Sequence, residues 1–252
     1  MERLFHCLLV VEMVLAGGLG CQRHSLSDGL PSEINCSSCH GGPDNAAPPR
    51  AVNGDTDTTT IGVGAHQSHL NSADPISAPV ACSECHVVPA ELNIDAHPNL
   101  IPGPATMSFG PLAKTAGAQP TWDRAAATCS NTYCHGATLP APPAPAPSAP
   151  NPPFPKSGPP LWTLVDNSQS NCFSCHGSSP DQLGESHPFH IAYTCDNCHA
   201  RVVVVGMMTI RNPNLHIDGK IDVSMETGTW DPGTKSCANM PDACHGSGSV
   251  NW

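Results

Sequence analysis

Twelve of the fourteen cysteines fall into six pairs, and in each pair the second Cys is followed at once by His. Four pairs are Cys-x2-Cys-His: Cys36/Cys39/His40, Cys82/Cys85/His86, Cys172/Cys175/His176 and Cys195/Cys198/His199. One has a four-residue spacer, Cys129/Cys134/His135, and one a six-residue spacer, Cys237/Cys244/His245. Two thiols at this spacing with an imidazole beside the second form the attachment signal for c-type haem. The thiols add across the two vinyl groups at one edge of the macrocycle, and the adjacent His reaches the iron from the proximal face. A disulfide framework also uses many cysteines, and zinc ribbons also use Cys-x2-Cys pairs, but neither needs a His after every second Cys. The expectation is six covalently attached haem c groups, or five if the unusual Cys237/Cys244 pair forms a disulfide or stays unattached.

The other histidines bear on what such haems do. With six proximal and His6 in the N-terminal apolar stretch, seven of the fourteen remain: His24, His66, His69, His97, His187, His190 and His216. A six-coordinate haem needs one distal ligand, so His66, His69, His97, His187, His190 and His216 are six candidates for six positions. His24, next to Cys21, is left over. A haem with His on both faces passes electrons and keeps no open position for a substrate. The reading is therefore an electron-transfer protein with no catalytic residue, rather than an enzyme. The alternatives are a multihaem reductase with one open-coordinate haem and a filament-forming cytochrome. Met107 and Met225 could also ligate iron, but their apolar alternating contexts read as packing.

The composition agrees with a core that side chains do not supply. Pro (28) and Gly (22) make up about a fifth of the 252 residues; apolar residues are 39%, aromatics 4% and charged residues 12%. That is too little apolar matter for an ordinary core and too little charge for ordinary disorder. The formal charge of −11, with no basic run, excludes nucleic acid as a natural partner. The partners expected are redox proteins or extracellular electron acceptors.

Organisation follows from the ends and the middle. Residues 1–20 read as an export signal, with Arg3 ahead of an apolar stretch and small residues before Cys21. Cys21 stands where a bacterial lipoprotein is lipidated, which would attach the chain to a membrane. The expected location is the periplasm or the outer-membrane and cell surface. The order His-x2-His, Cys-x2-Cys-His, lone His, longer-spaced motif occurs twice, each time after a Cys-x2-Cys-His of its own. Thr-Trp-Asp recurs in the same phase, with Trp122 and Trp230 seven residues before Cys129 and Cys237. This predicts two tandem three-haem repeats, 21–138 and 161–252. The joining segment, 139–160, holds eleven Pro and should run as polyproline II. At ~3.1 Å per residue it spans up to roughly 65 Å, enough for two separate modules, and equally allows a folded-back arrangement.

Regular structure should be sparse: an irregular, haem-cored fold with short helical turns at the motifs. Residues 201–205 read as a short strand, and 105–109 and 220–226 alternate as hairpin strands.

The pairing of Cys-x2-Cys-His with Cys-x4-Cys-His, the phrase from Cys85 to Pro89, the Gly after alternate motifs and the Trp-Asp ahead of the run from Cys129 to Gly136 resemble the CxxxxCH/CxxCH multihaem cytochromes of metal-reducing bacteria. His216-Ile217-Asp218-Gly219 is similar to that group as well. The resemblance covers roughly 36–136 and 172–246, and the six-residue spacer with Met240-Pro241 departs from it. It implies an envelope or cell-surface electron carrier of extracellular respiration, in a group whose members include filament formers.

Overall fold

The computed structural model describes Gly41 and residues 50–51, 53–72, 75–88, 104–139, 158–176, 183–190, 192–204, 209–225, 227–239 and 250–251. The export segment, Cys21, His24, Cys36, Cys39, His40, His97, Cys244, His245 and residues 140–157 lie outside them.

Among the described residues the fold is irregular. Three helices, α1 (His66–Leu70), α2 (Cys172–Cys175) and α3 (Cys195–His199), are four or five residues long. None is long and apolar enough to cross a membrane. Short 3₁₀ turns cover Cys82–Glu84, Thr115–Gly117, Tyr133–His135, His187–His190 and Pro213–Leu215. Thr194 and Asn197 form a reciprocal capping box at the start of α3. Helical turns therefore sit at four of the Cys-His motifs, those of Cys85, Cys134, Cys175 and Cys198, as the sequence predicts.

The sheets are two small antiparallel units: β1 (Thr121–Asp123) with β2 (Thr128–Ser130), and β3 (Thr229–Asp231) with β4 (Ser236–Ala238) and β5 (Val250–Asn251). The first two hairpins agree residue for residue. Trp122 pairs with Cys129, and Trp230 with Cys237. Asp123 Oδ1 accepts the N–H groups of Ala125 and Ala126, as Asp231 Oδ1 accepts those of Gly233 and Thr234. Ala127 and Lys235 close the two turns with positive φ, and Asn131 and Asn239 leave the strands with positive φ. The recurring Thr-Trp-Asp is thus a strand whose Asp caps the turn and whose Trp faces the first Cys of the long-spacer motif. The two extra residues of the six-residue spacer come after Asn239, beyond the shared part.

The predicted strands at 105–109, 201–205 and 220–226 do not form; residues 205 and 226 are outside the described set. The amides of Val202 and Val203 turn back to the His199 carbonyl (2.8 and 3.0 Å), closing α3, so the valine run contributes only an isolated antiparallel bridge, Val203 with Ile210. Ser224 donates to the Cys198 carbonyl (2.8 Å) and Ser108 to the Cys85 carbonyl (2.9 Å), so these segments strap the motifs and make isolated bridges, Met107 with His86 and Ser224 with His199. Strand propensity yields to tertiary hydrogen bonding.

Side-chain burial is thin. Among the described residues the buried apolar ones are Ala51, Val63, Ala113, Ala118, Ala127, Val202 and Cys237, and of these only Val63 falls to 2% exposure. Four alanines and two valines do not make a core by themselves.

Candidate haem sites

Each described motif is built by a tight backbone device. In Cys82/Cys85/His86, the amides of Cys85 and His86 both donate to the Cys82 carbonyl (3.1 and 2.9 Å), placing His86 one step beyond the second thiol. Glu84, inside this motif, accepts the amides of Leu112 (2.9 Å) and Ala113 (3.2 Å) with one carboxylate oxygen. Glu84→Ala would leave both donors without a partner, and we expect a loss of about 1–3 kcal/mol in denaturant unfolding.

The four-residue spacer runs from β2 through Asn131 (φ 55°) into the turn Tyr133–His135, which ends on Gly136 in the left-handed region (φ 85°). A strand, a kink and a turn replace the single turn of the shorter motifs. In chain order the second, third and fourth motifs, those of Cys85, Cys134 and Cys175, lie close together. Burial is the main cause that pushes the Cys129 thiol up to about 11 and the Cys134 thiol up to about 12; Cys85 adds to both, and Cys175 adds to Cys134. Both thiols are therefore protonated at neutral pH while they carry no bonded partner.

The histidines meet in opposed pairs. The ring centres of His66 and His86 are 6.2 Å apart with planes at 21°, those of His69 and His135 6.0 Å at 75°, and those of His176 and His216 6.4 Å at 83°. Two imidazoles on opposite sides of one metal, each bonded at about 2.0–2.1 Å, bring their ring centres to about 6 Å. His187 is near enough to lower the proton affinity of His199, after the larger effect of burial. Burial also drives His135 down to about 4, with His69 adding to the effect, and lowers His216. Neutral imidazole is the form that binds a metal.

The outer nitrogens are equally uniform. Nδ1 of His66 donates to the Val63 carbonyl (2.7 Å), of His69 to Ala65 (2.8 Å), of His187 to Gly184 (2.8 Å) and of His190 to Ser186 (2.9 Å). Nδ1 of His199 donates to Asp222 (2.6 Å) and of His216 to Ile76 (2.5 Å). A carbonyl only accepts, so Nδ1 carries the proton in each ring and Nε2 keeps its lone pair for a ligand. Both His-x2-His motifs use the same device: the first His bonds three residues back and the second four.

The donor set fits haem. Among the described residues no three His, Cys, Asp or Glu side chains gather around one point, as a zinc site requires. Cys82, Cys85, Cys129, Cys134 and Cys237 form no disulfide. Paired imidazoles beside paired cysteines are the donor set that would hold a haem. Apolar side chains next to the motifs stay exposed, including Val87 and Val88 after His86 and Phe189 (82%) between His187 and His190.

Sequence reasoning missed Trp162. Its ring lies 4.8 Å from His66 and 5.6 Å from His69, its indole N–H donates to the Ile61 carbonyl (2.9 Å), and it sits 6.3 Å from Trp122. It has no counterpart in the repeat phase, so no recurrence pointed to it. Gly64 lies directly beneath: a Cβ there would overlap the indole. Gly64→Ala should displace Trp162 and lower stability by about 1–3 kcal/mol, read as a fall in thermal midpoint. Met107 and Met225 are half-buried.

Residues 128–176 match the family model described as the Geobacter CxxxxCH...CXXCH motif. The matched stretch holds Cys129/Cys134/His135 and Cys172/Cys175/His176, one on each side of the Pro-rich segment. No curated protein and no solved structure matches the chain. Motif spacing and family match point the same way: residues 128–176 carry the Geobacter CxxxxCH...CXXCH motif, and the match supports a multihaem c-type cytochrome.

Proposed function

We propose that this chain is an exported six-haem cytochrome c that relays electrons, with two tandem three-haem repeats and the haems as its core. The observation that carries this reading is the set of opposed histidine pairs at 6.0–6.4 Å. Haem iron held between two such imidazoles would supply one-electron ferric/ferrous chemistry without exchange of ligands, at lower potential than with His/Met ligation. His86, His135 and His176 are the proximal ligands in these pairs, and His66, His69 and His216 the distal ones. His187, close enough to His199 to lower its proton affinity, would pair with it by the same repeat phase. The repeat phase extends the scheme, by sequence position alone, to His190 with His245 and His97 with His40. In each repeat the first His of His-x2-His serves the middle motif, the second serves the long-spacer motif, and the lone His serves the first motif.

Residues three apart on a helical turn have Cβ atoms about 5–6 Å apart, so His66 and His69 tie two sites to a single turn of α1. This closeness suits relay. Covalent thioethers from the Cys pairs hold the cofactors through repeated turnover, and the Nδ1 bonds to carbonyls raise the basicity of the axial nitrogens. Donor and acceptor would be redox proteins or extracellular acceptors, met in the periplasm or at the cell surface, with a lipidated Cys21 as the anchor. The net charge of −11 suits a basic or mineral partner surface.

Electron paramagnetic resonance of the oxidised protein tests the ligation. All haems should be low-spin, with at least two signal types, because the ring planes are near-parallel at His66/His86 and near-perpendicular at His69/His135 and His176/His216. The reduced protein should not bind carbon monoxide rapidly. A high-spin haem that does so would move the reading to a reductase.

A further inference from the structure

The Pro-rich segment separates two halves of the sequence, yet residues on either side of it are bonded to each other. After the segment, Leu161 bridges Thr128, the Trp162 amide donates to the Ala127 carbonyl (2.7 Å), and the indole covers His66 and His69. In the other direction, the amide of Ala78 donates to the Pro213 carbonyl (2.9 Å), and the Ile76 carbonyl accepts Nδ1 of His216 (2.5 Å). The amide of Gly219 donates to the Tyr133 hydroxyl (3.2 Å). Gly136, just past His135, runs against the backbone of the fourth motif: a Cβ on it would lie 2.9 Å from the Cys175 carbonyl oxygen.

We infer that the two halves hold each other's distal histidines, so that the sites form one body with the third and fourth motifs in contact across the linker. Trp162 of the second half fixes His66 and His69 of the first. Ile76, Ala78 and Tyr133 of the first half fix the loop that carries His216 of the second. The backbone of that loop supports this. Ile217 has φ 61°, and a β-branched residue persists in the left-handed region only where its surroundings impose it. The imposing bonds flank it, at His216 and at Gly219, and both come from the first half. A second half folded as a separate module would lack both.

The inference rests on the proposed ligation for the role of these histidines, but its test is separate. Twenty Gly/Ser residues are inserted within 141–150 of the full chain, and the matured protein is compared with the parent by small-angle X-ray scattering. One compact body of this length has a radius of gyration of about 18 Å. The parent should lie near that value, and the insertion should raise it by no more than about a tenth, because the halves are joined by contacts rather than by the tether. Two lobes whose separation grows with the insert would overturn the inference. Haem number by mass and spin state are read on the same samples. Six low-spin haems in separating lobes would sink only the inference, whereas missing or high-spin haems in the parent would sink the ligation reading.

Discussion

His216→Ala is expected to convert one haem, and one only, from low-spin six-coordinate to high-spin five-coordinate. The His216 ring is 6.4 Å from that of His176, and its Nδ1 proton is committed to the Ile76 carbonyl, so Nε2 is directed to a single partner. About one sixth of the low-spin intensity should be lost, and the reduced variant should gain one carbon monoxide site. His66→Ala and His69→Ala should each do the same at other haems, and the double variant should open two. His24→Ala, the left-over histidine, should open none. Titration of carbon monoxide against the variants counts the open sites directly. If His216→Ala stays fully low-spin, the assignment of His216 to the fourth motif is wrong.

Trp162→Ala should have an effect of comparable size without removing any ligand. The indole packs edge-on against His66 and tilted by 34° against His69, and it donates to the carbonyl of Ile61 in the loop that enters α1. Replacing a fully buried Trp by Ala costs about 3–5 kcal/mol; for this half-buried ring a loss of about 2–3 kcal/mol is expected. Both distal ligands on α1 lose their support together, so high-spin character should appear at two haems of the first half although the altered residue lies beyond the Pro-rich segment. Trp162→Phe keeps the ring, loses only the bond to Ile61, and should restore the low-spin state at a cost of about 1 kcal/mol. Stability lost without any change of spin state would make Trp162 a packing residue only.

What the sequence makes legible follows from the range of each interaction. Attachment chemistry is local, set by two cysteines and the next residue, so every motif can be read without a structure. An irregular fold is legible because Pro, Gly and scarce apolar residues leave little for long helices or sheets. The partners of the distal histidines are not legible, since they depend on how α1 is turned and on contacts such as His216 with Ile76, 140 positions apart in sequence. The valine run at 201–205 misleads because strand propensity says nothing of the His199 carbonyl that claims two of its amides. Thr-Trp-Asp shows its recurrence in the sequence, but the pairing of Trp122 with Cys129 and the capping by Asp123 emerge only once the hairpin is seen. Trp162 gives no sign, because it occurs once.

The most direct test is the intact mass of the protein matured in a host with haem-attachment machinery, followed by peptide mapping of the motifs. Six covalent haem additions, including one on the peptide that holds Cys237 and Cys244, are expected. Five additions, with the Cys237/Cys244 peptide unmodified or disulfide-linked, would contradict a six-haem relay and leave one distal histidine without a role.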